Sequence, residues 1–202
     1  PLVYTLRREC DPRRAMTRGL AEYLSTRYLD AEGGRRVVFR SVFADWPDAG
    51  DRAEYPGCLV SSPGPVEYGG GRFGSRVDEK RPLDANTLVY IPHEASAAVQ
   101  VACWCTTDEE RVAITLMVEE ALTPVEWLVG ARIELPHYHG VRGEYLLESQ
   151  RVSDSDERVA KGERVVEFTV RARCPLVRVR RFPTAKLKVF VEARTPGASS
   201  GA

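Results

Sequence analysis

The sequence predicts a single-domain α+β protein with a mostly antiparallel or mixed β-sheet, two amphipathic helices and a long extended loop or hairpin arm. Its 202 residues suit one hydrophobic core. Apolar residues recur at helical spacing in two segments and alternate with polar residues in several others. Glycine and proline crowd residues 61–86, which show neither pattern. We therefore assign residues 1–195 to one domain that includes this arm, and residues 196–202, which are small and polar, to a flexible tail.

The first helix is predicted to begin after Asp11 and Pro12. Aspartate is a favoured N-cap residue, and proline suits the first helical position because the N–H that it lacks has no intrahelical partner there. The apolar stripe that follows is expected to end at Gly33 and Gly34, a pair typical of a helix end. It consists of Met16, Leu20, Tyr23, Leu24 and Tyr28. This spacing predicts a helix that packs one face against the rest of the protein.

Short strands are predicted on both sides of the arm at residues 61–86. Residues 37–43 (VVFRSVF) are rich in β-branched and aromatic side chains, and a second short strand is expected near residues 58–60. Beyond the arm, residues 87–92 and 97–105 are predicted as two separate strands, the second with clear alternation.

A capping box marks the start of the second helix. Thr107 is the expected N-cap, and Glu110 is the acid three residues later that completes the motif. Apolar residues then recur at helical spacing as far as Pro124. They are Ile114, Met117, Val118, Ala121 and Leu122. The rest of the chain is predicted as four strands, at residues 126–135, 143–152, 163–173 and 186–193.

Composition excludes several classes of protein. Hydrophobic residues make up 43% of the chain, which argues against disorder, and Lys plus Arg equals Asp plus Glu at 29 each, so no net charge attracts nucleic acid or anionic membranes. No apolar run approaches the roughly 18 residues that span a bilayer, and the first residues lack a signal-peptide layout. We expect a protein made in a cytoplasm, with no membrane partner.

The scattered cysteines, without a CxxC pair, are expected to be reduced core thiols. They are Cys10, Cys58, Cys103, Cys105 and Cys174.

Two patterns that resemble binding motifs are interpreted as structural. Residues 69–74 fit G-x-G-x-x-G, but no strand is predicted before them and no helix after them, which favours a loop. The Cys103 and Cys105 thiols could join histidines around zinc, yet their spacing fits core packing better. The three histidines are His93, His137 and His139.

Catalytic motifs for hydrolysis or phosphate binding do not occur in the sequence. His137 near Asp154 or Asp156 is a weak candidate for a general base, because histidine and acids are common in loops. We therefore expect no enzyme activity, no cofactor and no bound metal.

Charges separate into a basic C-terminal segment and an acidic second helix. Residues 171–194 contain eight basic residues and one acid, a face that suits DNA, an acidic neighbour or plain solvent. Opposite charges on separate elements would let copies of the chain join head to tail, which is the geometry that closes into rings. The acidic candidates for this interface are Asp108, Glu109, Glu110 and Glu119, with Glu120 beside them. The basic candidates are Arg171, Arg173, Arg178, Arg180, Arg181, Lys186 and Lys188.

The arm is a second candidate interface. Val66, Tyr68, Phe73 and Val77 give it apolar anchors that an isolated loop would leave in water. Ordering such an arm costs about 1–2 kcal/mol per residue in backbone entropy. We expect a neighbouring subunit to offset this cost.

The order of these elements resembles that of tail terminator and related head-tail joining (neck) proteins of long-tailed bacteriophages. The resemblance rests on DPRRAMTRGLAEYLSTRYL, on the strand-to-helix run VQVACWCTTDEERVAITLMVEEAL, and on RIELPHYHG, GEYLLESQRVSDSDE and RVVEFTVRARCPLVRVRRFP. It covers residues 11 to 193. It implies a virion structural protein, made in the host bacterial cytoplasm, with no catalytic residues to carry over.

What the resemblance implies is a ring, usually sixfold, at the head–tail junction. Its partners would be copies of itself, the tail tube and neck or connector proteins, and DNA would pass through without specific contacts. Three alternatives stay open. The length departs from the shorter members of the family, which suits another tail or baseplate protein. The histidines and cysteines could converge on a pocket in a small ligand-binding or enzymatic domain, and the basic strands could belong to a nucleic-acid-binding accessory protein.

Overall fold

The chain folds into one α+β domain, seen in a computed structural model. The described residues are 11–31, 34–37, 39–45, 54–69, 79–84, 87–123, 130–135, 138, 140–154 and 161–181. The helices are α1 (Pro12–Ser25) and α2 (Asp108–Leu122). The strands are β1 (Leu29–Ala31), β2 (Arg35–Val37), β3 (Ser41–Ala44), β4 (Gly57–Ser61), β5 (Glu67–Gly69), β6 (Glu79–Asp84), β7 (Thr87–Cys105), β8 (Ala131–Leu135), β9 (Val141–Val152) and β10 (Arg164–Arg181). The predicted α+β class, with two helices and a mostly-strand sheet in a single domain, is confirmed, whereas the long arm stays a prediction.

One mixed, mostly antiparallel sheet organises the domain. Its strand order is β3-β4-β7-β10-β9-β8, and β5 and β6 also pair with β7. Only β3 and β4 run parallel among the described pairs, while β1 and β2 form a separate small hairpin. β7 is the central strand. It pairs with β10 along one side, and on its other side it pairs with β4, β5 and β6 at successive parts of its length. Neither described helix is long and apolar enough to cross a membrane.

The prediction of two strands at residues 87–92 and 97–105 was wrong, because β7 is continuous over 19 residues. The register with β10 shifts where Ile91 and Pro92 lie opposite the single residue Val177. Such a bulge accepts a proline, whose missing N–H would otherwise interrupt the ladder. The Val177 N–H instead donates to the buried Tyr138 hydroxyl at 2.9 Å.

Helix α1 begins as predicted but ends earlier. The Asp11 carboxylate accepts the Arg13 N–H at 3.0 Å, and Pro12 is the first helical residue. The helix ends at Ser25, because the Thr26 hydroxyl donates to the Tyr23 carbonyl at 2.8 Å and helps to close the last turn. The predicted end at residues 33–34 was therefore wrong. The hydrophobic residues that α1 buries are Met16, Leu20, Ala21 and Leu24.

Several other strand boundaries differ from the prediction. The segment 37–43 is split between β2 and β3. The strand predicted at 163–173 continues to Arg181 as β10, and that predicted at 143–152 begins at Val141 as β9. Residues 126–129 and 186–193 lie outside the described residues.

The core lies between the two helices and one face of the sheet. In β10, Val166, Phe168 and Val170 are buried while Glu167 and Thr169 between them are partly exposed, so this sheet is wet on its other face as predicted. Tyrosine hydroxyls connect the layers: Tyr145 of β9 donates to the Met16 carbonyl of α1 at 2.9 Å. Both layers therefore share one rigid core.

Candidate assembly surfaces

The N-terminus of α2 is held by the predicted capping box, with one difference. The Thr107 hydroxyl accepts the Glu110 N–H at 3.1 Å. The Glu110 carboxylate accepts the Thr106 N–H at 2.9 Å and the Thr106 hydroxyl at 3.0 Å, one residue earlier than in the usual motif. The carboxylate of Glu110, a candidate interface residue, is thus occupied within its own chain.

Asp108 also bonds within its own chain. Its carboxylate contacts Arg111 at 2.5 Å and Arg164 at 3.4 Å. Arg111 also contacts Asp154 at 2.5 Å, and Asp154 accepts the Val165 N–H at 3.2 Å. Desolvation by burial acts to raise the pKa of Asp154, but the Val165 N–H and Arg111 together lower it below the ordinary aspartate value. This network ties the start of α2 to the connection between β9 and β10.

The solvent side of α2 carries two large apolar residues. Val112 is 58% exposed and Leu116 is 51% exposed, four residues apart and opposite the buried stripe. Glu109 and Glu120 are exposed at the two ends of this pair, and Glu119 is half-buried beside it. We call Glu109, Val112, Leu116 and Glu120 the α2 outer surface. Sequence analysis missed the apolar pair, although apolar residues on both sides of a helix were a readable signal.

The face of the sheet that points away from the helices is the second surface. Ala98 and Gln100 of β7 are exposed, as are Arg171 and Arg173 of β10, and Leu146 of β9 is 41% exposed. The strand registers place Leu146, Arg171 and Ala98 side by side across three strands. We call these five residues the outer sheet face. It combines Ala98 and Leu146 with the polar Gln100 and two cations.

Acids from neighbouring strands neutralise part of this basic face. Arg171 contacts Glu148 of β9 at 2.5 Å. Arg173 lies opposite Glu144 in the register but makes no ion pair among the described residues. Two further cross-strand pairs are Arg132 with Glu144 at 3.3 Å and Arg151 with Glu167 at 3.9 Å. For Arg178, Arg180 and Arg181, the structure gives only their backbone positions in β10, and Lys186 and Lys188 lie outside the described residues.

Part of the predicted arm joins the sheet of its own chain. Val66 is half-buried against the core, whereas Tyr68 of β5 is 61% exposed. The Arg13 guanidinium donates to the Gly64 carbonyl at 2.9 Å, which ties the start of the segment to α1. Phe73 and Val77 lie outside the described residues. The subunit-contacting arm therefore stays a prediction, with Tyr68 as its exposed apolar residue in the described part.

The cysteines are core residues, as predicted, wherever they are described. Burial raises the pKa of Cys103 well above its usual value, and Cys58, directly opposite on β4, adds to this. Burial likewise raises the pKa of Cys105 to about 11 and that of Cys174 to about 12. Cys103, Cys105 and Cys174 are therefore expected to be protonated and poorly reactive at neutral pH. Cys10 lies outside the described residues.

The residues considered as metal ligands are not brought together in the part of the chain that the structure describes. His93 is exposed on β7, opposite Leu176, while Cys103 is fully buried. His137 and His139 lie outside the described residues. Within the described ranges, no group of three or more His, Cys, Asp or Glu residues could hold a metal ion.

A scan against protein-family models finds no matching family, and a search of curated proteins finds no similar sequence. The functional assignment therefore depends on the surfaces described above and on the resemblance of the sequence elements.

Proposed function

We propose that this chain is a virion structural protein, a tail terminator or neck subunit that forms a ring capping the tail tube and joining it to the head. The resemblance over residues 11–193 supplies the kind of assembly. The structure contributes a stable two-layer body and two chemically different surfaces. Partners under this proposal are copies of the chain, the tail tube and neck or connector proteins, with DNA passing through the ring.

The observation that carries the proposal is the placement of these surfaces on opposite sides of the domain. The α2 outer surface belongs to the helical layer, and the outer sheet face lies on the far side of the sheet. Surfaces of different chemistry on opposite sides produce heterologous contacts, in which each subunit uses one surface for each neighbour. Such contacts close into a ring when the rotation between neighbours is a simple fraction of a turn.

The mass of the purified protein in solution tests the proposal. Multi-angle light scattering should give an integral multiple of the 22.5 kDa subunit mass, six for the usual ring, and negative-stain images should show a central channel. A strictly monomeric protein at high concentration that is also missing from assembled particles would count against the ring. Co-purified nucleic acid, seen as a raised ratio of the absorbances at 260 and 280 nm and released by added salt, would instead favour a nucleic-acid-binding accessory protein.

A further inference from the structure

The α2 outer surface is built as a binding surface rather than as a solvated helix face. A helix that packs on one side needs only one apolar stripe, and α2 already has one in Ile114 and the buried residues around it. Val112 and Leu116 form a second apolar site on the opposite side, each more than half exposed. Single exposed aliphatic residues are ordinary, but a pair one turn apart presents a continuous apolar spot.

The charges around the pair identify what it would contact. Exposed Glu109 and Glu120 lie about one turn beyond Val112 and Leu116, at opposite ends of a stripe about 16 Å long. A complementary surface would combine apolar side chains with positive charge. An anionic membrane or nucleic acid is disfavoured, because the acids at both ends would repel either one.

The outer sheet face of the same chain offers apolar side chains next to a cation that is unpaired within the described residues. Ala98 is small enough to let a helix approach closely, and Leu146 and Ala98 flank Arg171 within one row. Arg173 is exposed and has no ion pair among the described residues, so its charge is available to a partner. Because this face lies on the opposite side of the domain from α2, one subunit cannot satisfy both surfaces by itself.

We propose that the α2 outer surface of one subunit docks on the outer sheet face of a second copy of this chain, repeating head to tail. This inference rests on the proposed ring function and adds the contact from which the ring is built. Val112 and Leu116 would pack over Ala98 and Leu146, while Glu109 or Glu120 would pair with Arg173. The apolar pair would supply most of the affinity, and the charges would fix direction.

Two variants, each defective on one surface, test the inference. The helix variant carries Val112→Asp and Leu116→Asp, and the sheet variant carries Ala98→Glu and Arg173→Ser. All four positions are exposed, so both variants should fold, which circular dichroism and thermal melting check. Each variant alone should stay monomeric, with the dissociation constant of the contact raised about thirtyfold or more. Mixed together, they should form one-to-one dimers and nothing larger, because only one intact contact joins them.

Val152→Asp is the matched control. Val152 is 57% exposed, close to the 58% of Val112, but lies on β9 outside both surfaces. This variant should assemble like the wild type.

A helix variant that still assembles, or a mixture that forms no dimer, overturns the proposed contact but leaves the ring proposal in place. A wild-type chain that stays monomeric at every concentration overturns the ring and the contact together. A milder helix variant, Val112→Ser with Leu116→Ser, replaces the first if that one does not fold.

Discussion

Replacing Gly130 by alanine should destabilise the domain through two effects that can be separated. Gly130 has a φ of +94°, a conformation that residues with a side chain rarely adopt. A Cβ atom there would lie 2.8 Å from the carbonyl carbon of Tyr145 and 3.0 Å from the Cα of Leu146, and closer still to the Tyr145 oxygen. These are backbone atoms of β9, which pairs with β8 beside this point. No side-chain rotation can relieve the clash, so the strands must separate.

The magnitude follows from the two contributions. The left-handed backbone costs a residue with a Cβ about 1–2 kcal/mol. Overpacking against fixed neighbours costs about 1–3 kcal/mol more. Gly162 isolates the first contribution, because its φ is +74° and a Cβ there would meet nothing within 4 Å. We expect a loss of about 2–5 kcal/mol for Gly130→Ala and about 1–2 kcal/mol for Gly162→Ala.

Urea unfolding followed by circular dichroism measures both losses. With an m value of about 2 kcal/mol/M, the midpoint should fall by about 1–2.5 M for Gly130→Ala and by less than about 1 M for Gly162→Ala. The m value itself should stay constant if the two-state transition is kept. Equal midpoint shifts for the two variants would refute the reasoning that the β9 backbone blocks position 130.

Three further predictions concern hydrogen bonds, titration and thiols. Tyr138→Phe removes the acceptor of the buried Val177 N–H and should cost about 1–3 kcal/mol in the same urea assay; an unchanged midpoint would contradict it. The pKa of Asp154 is lower in the folded state than in the unfolded chain. Its ionised carboxylate therefore stabilises the fold above about pH 4, and this contribution is lost as the pH falls through the pKa of the folded state. Asp154→Asn should therefore be less stable than the wild type at neutral pH, with the gap closing as the pH falls through the lowered pKa of the folded state, whereas a gap independent of pH would argue against the network. The described cysteines should resist thiol reagents until urea unfolds the chain, as peptide mapping would show, and rapid labelling of the native protein would contradict their burial. These cysteines are Cys58, Cys103, Cys105 and Cys174.

The elements that the sequence predicted best are those whose signals are local. Helix α2 spans Asp108–Leu122 behind the N-cap Thr107, and it was predicted well because the cap, the acid three residues later and the apolar spacing all lie within one segment. The central sheet was harder to predict. Pro92 normally interrupts a strand, and its place in a bulge depends on β10, more than 80 residues away in the sequence. The end of α1 depended on the hydroxyl of Thr26, a weaker signal than the glycine pair at residues 33–34.

The candidate surfaces could be predicted only in part, since charge counts along a sequence ignore the partners that folding supplies. Asp108 and Glu110 were both named as acids of the interface, yet Asp108 pairs with Arg111 and Glu110 accepts the Thr106 N–H. Arg171 appeared as one of a basic run, yet Glu148 on the neighbouring strand β9 pairs with it. Val112 and Leu116 were missed although their spacing of four residues could be read from the sequence, because only the apolar stripe that faces the core was considered.

Few charges on the two surfaces have no partner within the described part of the chain. On α2, Glu109 and Glu120 are the exposed acids at the ends of the outer surface, and on the sheet Arg173 is the exposed cation of that face without an ion pair among the described residues. So few charges, all near solvent, contribute little to affinity because water screens them. Burial of Val112 and Leu116 does not depend on salt in this way. The charges should therefore set the direction in which subunits join, while the apolar pair holds them together, so added salt should slow ring formation without dissolving rings already formed.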